Sequence, residues 1–519
     1  MTSFDLVDRP WLPVLGPQGT EDVSLRDAFR RAPDLYGLAL PFAPEEVAVT
    51  RILVAVLQAA MHGPTADGER SSDDVRGAWL EAPEEVIAEL EEYLGEWRDR
   101  FDLLHPDRPF MQQPVDAETA RDTTIAALRL DWSSGNNATL FDHHVDDAPP
   151  ALDPAEAARA LITTLHHQPG GGVSKPFNRT DSPGTKALAV LVQGRTLWET
   201  LVANAATPRP AVGDPAGFGV PSWERPLAGE PADADVAADL VPDREGSTPR
   251  GWLDRLTWRS RAIRLLADDD GLIRRCRIHQ HLKLRDGGTE DPFHAVTYDD
   301  AGTAGLVRVR PGKRLWRSAD AVLHGVSTVG ERPRSVVAQG LRSLERHGAA
   351  RPQILVSGLQ VNQAKIAEAQ SALLPVSADM LDDETRIRCV AELLEIAEQG
   401  GVALRNACLT FLDETGAQRD LRVADEWQVP YWAELGRAFP RWLERLSAAA
   451  AKSDGPGDAF AGLRQSWGDE VRRHAWATLE ARHRADIVGR RAWKGHAVSR
   501  TAFNKQIRSV PASPKEPVA

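Results

Sequence analysis

Apolar positions along the chain fall into two regimes, and the change between them comes near Asp379. Before it, short extended runs are mixed with helical ones. FDLVDRPWLPVLG reads as a strand pair interrupted by Pro10 and Pro13, since proline cannot donate to a ladder. EEVAVTRILVAVLQAAMHG predicts a buried helix closing on Gly63, and PEEVIAELEEYLGEWRDRF a longer amphipathic helix starting after Pro83. In PAEAARALITTLHH, Pro154 stands in the first turn and Ala158, Leu161, Ile162 and Leu165 share one face. That helix ends in Pro169 and the run Gly170-Gly171-Gly172. ALAVLVQG predicts a buried strand, and Thr196 and Glu199 have the spacing of a capping box on the helix that follows. Residues 208–247, rich in Pro, Gly and Asp, predict a long irregular insertion. From Trp252 to about Val356 the pattern is mainly strand-like, with helical signal over Val336–His347.

Beyond Asp379 the three-to-four spacing takes over. One predicted helix carries Ile387, Val390, Leu394 and Ala397, and another Leu404, Ala407 and Phe411. A third carries Trp432, Leu435, Phe439, Trp442 and Leu446, and after the linker at 453–457 come Leu463, Trp467, Val471, Ala475 and Leu479. A basic segment from Arg490 to Arg508 closes the series. Helices of this length on short loops pack most simply as an antiparallel bundle. The expected fold is therefore α+β: a large mixed α/β N-terminal domain over residues 1–375, a C-terminal antiparallel four-helix bundle over 376–510, and a disordered tail at 511–519.

Composition changes this picture little. A chain of 519 residues is long enough for two domains. Fifteen Trp against four Tyr point to large rigid anchors in a core or a contact surface. Three scattered cysteines, Cys276, Cys389 and Cys408, are too few for a disulfide framework and fit a reducing compartment. The N-terminal stretch has no basic n-region, and no apolar run is long enough to span a membrane, so the cytoplasm is expected. The net charge of −13 argues at first against a nucleic-acid partner. Distribution matters more than the sum: between Arg490 and Arg508 stand Arg490, Arg491, Lys494, Arg500, Lys505 and Arg508 with no Asp or Glu.

The search for catalytic chemistry returns little. The glycine run lacks the spacing of a phosphate loop and follows a helix rather than a strand. It reads either as a helix cap with a loop or as bare backbone that another backbone can approach. His143 and His144, with His166, suggest a metal-dependent nuclease or hydrolase as an alternative, but no H-E-x-x-H or C-x-x-C partner accompanies them. His279 and His281 would face one side of a strand. No nucleophile elbow appears. No catalytic residue, metal or cofactor is expected.

Five short strings in chain order resemble the CasA-type large subunit of the type I-E CRISPR surveillance complex, Cascade. They are DRPWLPV near the start, HPDRPFMQ from His105 to Gln112, SGNNATLFDHH from Ser134 to His144, the glycines 170–172, and the Asn-Gln-Ala of GLQVNQAKI. The cysteine cluster that some relatives carry is missing, since Cys276 stands alone in that region. The resemblance implies a non-catalytic subunit that recognises the protospacer-adjacent motif in double-stranded DNA through the minor groove. It also implies help in opening the duplex for R-loop formation and a platform for the trans-acting helicase–nuclease of antiviral defence. Its partners would be guide RNA, the other Cascade subunits, target DNA and that helicase–nuclease, with no membrane.

On that reading Asn362, Gln363 and Ala364 form a hairpin that meets the flanking motif, with Gln363 as a wedge and Ala364 small enough for close approach. Lys283 would enter the groove, and Gly170, Gly171 and Gly172 would lie along a phosphate backbone. Asn136, Asn137, Phe141 and His143 would belong to a loop reaching RNA or the rest of the complex. The six basic residues from Arg490 to Arg508 would track the displaced strand, with Trp493 or Phe503 as stacking partners.

Overall fold

The computed structural model describes residues 3–66, 70–115, 120, 122–132, 150–172, 179–207, 217–226, 246–327, 336–348, 352–449, 460–485 and 489–513. The predicted insertion at 208–247 and the end of the tail lie mostly outside these residues. The chain divides into two compact units, one of residues 1–315 with 324–373, the other of 316–323 with 374–519.

The first unit is mixed. Strand β1 (Leu12–Gly16) holds Pro13 within it and pairs antiparallel with β2 (Gly19–Val23) and β3 (Gly37–Leu38). The expected pair is thus one strand, and Pro10 and Trp11 precede it. Helix α1 (Leu25–Arg30) is capped by Ser24, and α2 (Ala43–Met61) ends one residue earlier than expected, at His62 in the left-handed conformation. Nearly every residue of α2 from Val47 to Ala59 is buried, including Arg51, whose guanidinium forms two hydrogen bonds to Asp291 at 3.0 and 2.7 Å. Burial alone would raise the Asp291 pKa, but the charge of Arg51 and the neighbouring His294 hold it well below the usual carboxylate range.

Helix α3 (Ser72–Glu81) opens on a full capping box at Ser71, and α4 (Pro83–Glu96) begins at the predicted proline. Helix α5 (Pro154–His167) begins with a capping box between Asp153 and Glu156. These reciprocal bonds satisfy two of the amide groups that a helix start leaves unpaired.

Three further small sheets complete this unit. Strand β4 (Asp122–Thr124) flanks β7 (Ile273–Gln280), which pairs on its other side with β6 (Arg261–Ala267). Strands β8 (Val296–Tyr298) and β9 (Ala304–Leu306) form a pair. Strand β5 (Ala189–Gln193) pairs antiparallel with β10 (Gln353–Asn362), and β11 (Lys365–Pro375) lies on the far side of β10. The HPDRPFMQ string packs into this unit: Phe110 stacks on Phe101 and on Trp223, and the Gln112 side chain bridges Leu103 and Leu265.

The second unit is helical. Its long helices are Glu384–Thr415, Leu421–Ala449, Ala461–Ala485 and Arg490–Ile507. Their contacts fix the directions. Phe411 meets Trp427 while Ala397 accepts a bond from Tyr431, so the first two run antiparallel. Trp467 meets both Phe439 and Trp442, and His483 lies beside His496. Asn406 bonds Gln506 and Lys494 pairs with Glu414, which sets the last helix antiparallel to the first.

The two helices expected over Ile387–Ala397 and Leu404–Phe411 are one continuous helix of 32 residues. Gly400 and Gly401 do not break it. A side chain at Gly400 would strike the Tyr431 hydroxyl and lie 2.7 Å from Val471, and one at Gly401 would strike Trp432. The glycines are notches that let the next helices close in.

The segment 316–323 belongs to this unit although it lies far from it in sequence. Trp316 packs its ring 5.1 Å from Phe439, and a side chain at Gly436 would fall 2.8 Å from its indole nitrogen. Arg317 forks onto Glu398 at 2.8 and 2.9 Å and lies 3.6 Å over the Trp432 ring.

Candidate nucleic-acid interface

The hairpin of β10 and β11 projects residues 362–365 into solvent, all exposed, while Ile354 to Leu359 are buried. Only Gln363 and Ala364 separate the two strands. A two-residue hairpin loop needs positive φ at its first position, which glycine or asparagine supplies at least cost. Here Gln363 takes it, at φ +55°. A long side chain in the left-handed region is strained, and such strain concentrates at functional positions.

The glycine loop is built by the end of α5. Gly170 donates to the Asp181 carboxylate at 2.7 Å, and Gly171 and Arg179 exchange backbone hydrogen bonds of 2.9 and 2.7 Å. A side chain at Gly170 would fall 2.7 Å from the Arg179 carbonyl, so the returning strand needs glycine there. Gly172 has φ +90°, open to glycine alone without strain. A methyl group at Gly171 would sit 3.2 Å from the Cβ of Ala364. The glycine loop and the hairpin tip, nearly two hundred residues apart in sequence, therefore abut.

Lys283 is exposed and follows β7 by three residues. Gln280, the last residue of β7, accepts from the amide of Thr180 at 2.8 Å, which ties this segment to the returning arm of the glycine loop. Among the described residues no hydrogen bond or ion pair joins the Lys283 ammonium to the loop or the hairpin. The structure thus brings together Gly170–Gly172 and Asn362–Ala364, with Lys283 held on the same scaffold.

Sequence reasoning missed the group beneath this surface. Arg261, fully buried, donates to the Gln168 side chain at 3.0 Å, the Gln168 carbonyl at 3.3 Å, the Ser260 carbonyl at 3.0 Å and the Thr180 carbonyl. It therefore holds both arms of the glycine loop. Its alternating position in an apolar strand was the only available signal. At the end of α5, His166 and His167 pack edge to face with centroids 4.5 Å apart, and His294 lies 5.7 Å from His166. Burial, and then the charge of Arg51, pushes His166 well below its ordinary pKa. Burial likewise lowers His167 to about 3.

The hydrolase alternative loses its histidine here. His166 is sealed in the core, with its Nε2 2.5 Å from where a side chain at Gly184 would begin. His143 and His144 lie outside the described residues, as do Asn136, Asn137 and Phe141. No group of three or more His, Cys, Asp or Glu among the described residues is placed to hold a metal ion. His281, expected to pair with His279 on one strand, lies just past the end of β7 and is buried.

In the second unit, Arg490, Arg491, Lys494, Arg500, Lys505 and Arg508 are all exposed on the last helix and its end. Two are already engaged: Lys494 pairs with Glu414 at 2.9 Å, and Arg500 reaches Glu480 at 4.0 Å and lies over the Trp476 ring. Trp493 is 62% exposed, whereas Phe503 is fully buried edge-on to Trp476. Phe503 is a core residue and no stacking platform, because its face of the helix is the bundle seam.

A profile of one family, the CRISPR-associated protein Cse1, matches residues 5–478. The chain belongs to the Cse1 family. The CasA/Cse1 protein of Thermus thermophilus is 28% identical over 472 residues, 87% of this chain and 89% of its own length. Among solved structures, Thermus thermophilus CasA superposes with a TM-score of 0.75 at 23% identity, over 98% of this chain and all of that one. Cse1 from Acidimicrobium ferrooxidans gives 0.75 at 21% identity, over 98% of each chain. A chain of a CRISPR RNA-guided surveillance complex gives 0.71 at 22% identity, over 97% of this chain and all of that one. The fold of Cse1 structures is thus the fold of this chain, and the CasA-type resemblance carried by the short motifs is the family of the whole chain. No helix among the described residues is long and apolar enough to cross a membrane.

Proposed function

We propose that this Cse1-family chain acts as the CasA-type large subunit of a cytoplasmic RNA-guided Cascade complex and recognises the motif flanking the DNA target without a catalytic step of its own. The guide RNA reads the target sequence by pairing, and the protein reads the flanking duplex. The observation that carries this reading is the approach of Gly171 to Ala364, which makes one exposed surface of bare backbone beside a strained, solvent-directed Gln363.

Asn362 presents an amide that both donates and accepts, which suits the acceptors and the guanine donor of the minor groove. Gln363 enters beside the first base pair to be opened, and Lys283 supplies charge to the groove. Unstacking one step costs roughly a few kcal/mol, which phosphate contacts along Gly170–Gly172 offset. The exposed basic residues of the last helix track the displaced strand, and the subunit offers a platform for the helicase–nuclease.

Strand opening by the assembled complex tests this. Asn362→Ala with Gln363→Ala should slow opening of a matched duplex and leave binding of a matched single strand unchanged. Opening at the wild-type rate would overturn the assignment. Because the minor-groove code is degenerate, binding over all flanking trinucleotides should show several accepted sequences; a single one would contradict groove entry from that side.

A further inference from the structure

Arg179 is the residue that exchanges backbone bonds with Gly171. In such a reciprocally bonded antiparallel pair the two side chains share a face. The Gly171 side of that face is where Ala364 lies, and the Arg179 charge also reaches the buried Cys276 thiol on β7. Its guanidinium makes no hydrogen bond and no ion pair with any described residue. The Nε atom is cut off from solvent and unpartnered, while the terminal nitrogens are not among the buried atoms lacking a partner.

An arginine this far out of water is ordinarily matched by a carboxylate. Asp181, whose charge acts on the neighbouring Arg261, is already committed to Lys186 at 2.5 Å and to the Gly170 amide. The neighbouring strand adds a second cation rather than an anion. Arg261 is bonded wholly to carbonyl and amide oxygens, and burial together with the charge of Arg179 pushes its pKa down to about 9. Burial lowers Arg179 as well. Two arginines thus stand under one loop, and among the described residues the acid whose charge acts on either is Asp181, already paired with Lys186; the loop is the backbone along which a phosphate would run.

Resting on the reading above, we propose that Arg179, backed by Arg261, takes a backbone phosphate of the duplex beside the glycine loop. The ligand is a phosphodiester, recognised by charge and a planar fork of donors rather than by base sequence. The missing counter-charge is supplied by the DNA, and the contact fixes the register in which Asn362 and Gln363 meet the groove.

The experiment uses the assembled complex with its guide RNA, the variants Arg179→Met, Arg179→Lys and Asn362→Ala, and duplex binding measured from about 50 to 200 mM salt. Arg179→Met should weaken binding several-fold for every flanking motif and lower the salt slope by about one. Arg179→Lys should keep the slope. The melting temperature of the Arg179→Met chain should be unchanged or higher, since an uncompensated cation is removed from a mostly buried place. If Asn362→Ala shifts motif preference while Arg179→Met leaves affinity and slope as they were, the phosphate site is overturned and the motif-reading surface stands. If Asn362→Ala too changes nothing, the motif-reading surface itself falls. A lower melting temperature with an unchanged slope makes Arg179 a packing residue and overturns the proposal.

Discussion

Replacing Gln363 by glycine separates what the hairpin tip does from what it costs. The wild-type residue sits at φ +55° on an exposed tip. Holding a residue with a Cβ in the left-handed region costs about 1–2 kcal/mol, and glycine is free of that cost. Glycine loses about 0.5–1 kcal/mol through the greater freedom of the unfolded chain. The difference leaves Gln363→Gly between neutral and about 1.5 kcal/mol more stable than wild type, because no side-chain hydrogen bond of Gln363 to a described residue opposes it. Denaturant unfolding of the first unit, followed through its tryptophans, measures this as a shift in midpoint at constant slope. Strand opening by the same variant in the assembled complex should fall as far as for Gln363→Ala. Loss of more than about 1 kcal/mol would show that the side chain holds the turn together, and the strain argument would be wrong. Gain in stability with opening intact would leave the strain without a function.

Three further outcomes follow from the packing. Arg51→Ala leaves the buried Asp291 carboxylate without its guanidinium partner, and should cost about 3–5 kcal/mol by chemical denaturation; a loss under 1 kcal/mol would mean that water reaches the carboxylate. Gly400→Ala gains about 1 kcal/mol of helix propensity, yet its methyl must displace the Tyr431 hydroxyl and Val471, so a net loss of about 1–3 kcal/mol is expected in melting of the bundle. For pH, His166, His167 and His281 all have folded-state pKa values below the unfolded value near 6.5, with His167 and His281 at about 3. The unfolded chain then binds protons first, so stability is full above about pH 6.5 and declines toward pH 3, by up to about 1.4 kcal/mol per pH unit for each histidine. His167→Gln should flatten that decline; an unchanged slope would place the acid sensitivity elsewhere.

Local signals were readable wherever the chain's neighbours in sequence are its neighbours in space. The start of α5 is an example: Pro154 marks its first turn in the sequence, and the structure begins the helix there, with Asp153 and Glu156 forming the cap. Gly400 and Gly401 show the limit. As local signals two glycines end a helix, but here a tyrosine and a tryptophan from the following helix occupy the space they leave, and tertiary packing overrides propensity. Phe503 was misplaced for the same reason, since its helix face is decided by Trp476 and not by the charges around it.

At the candidate site, the motif residues could be named from the sequence because the resemblance carried them. Their meeting could not, since the contact of Gly171 with Ala364 depends on how α5 and β10 are hung on one core. Arg261 and Arg179 were two among 62 Lys and Arg residues. Nothing in their spacing marks them as the cations under the loop.

The place of residues 316–323 bears on the order in which the chain can be made. These residues leave the ribosome well before Glu384, yet the Gly436 notch, the Trp432 face and the Glu398 carboxylate that receive Trp316 and Arg317 come later. Until the second bundle helix has emerged, Trp316 has no partner ring, and the chain around it carries an exposed indole through part of synthesis. The first unit waits only for the residues up to Leu373, β10 and most of β11 among them, and all of these are made before Glu384. Co-translational folding in N-to-C order can therefore complete the first unit once Leu373 has emerged, while Trp316 and Arg317 wait for the second bundle helix.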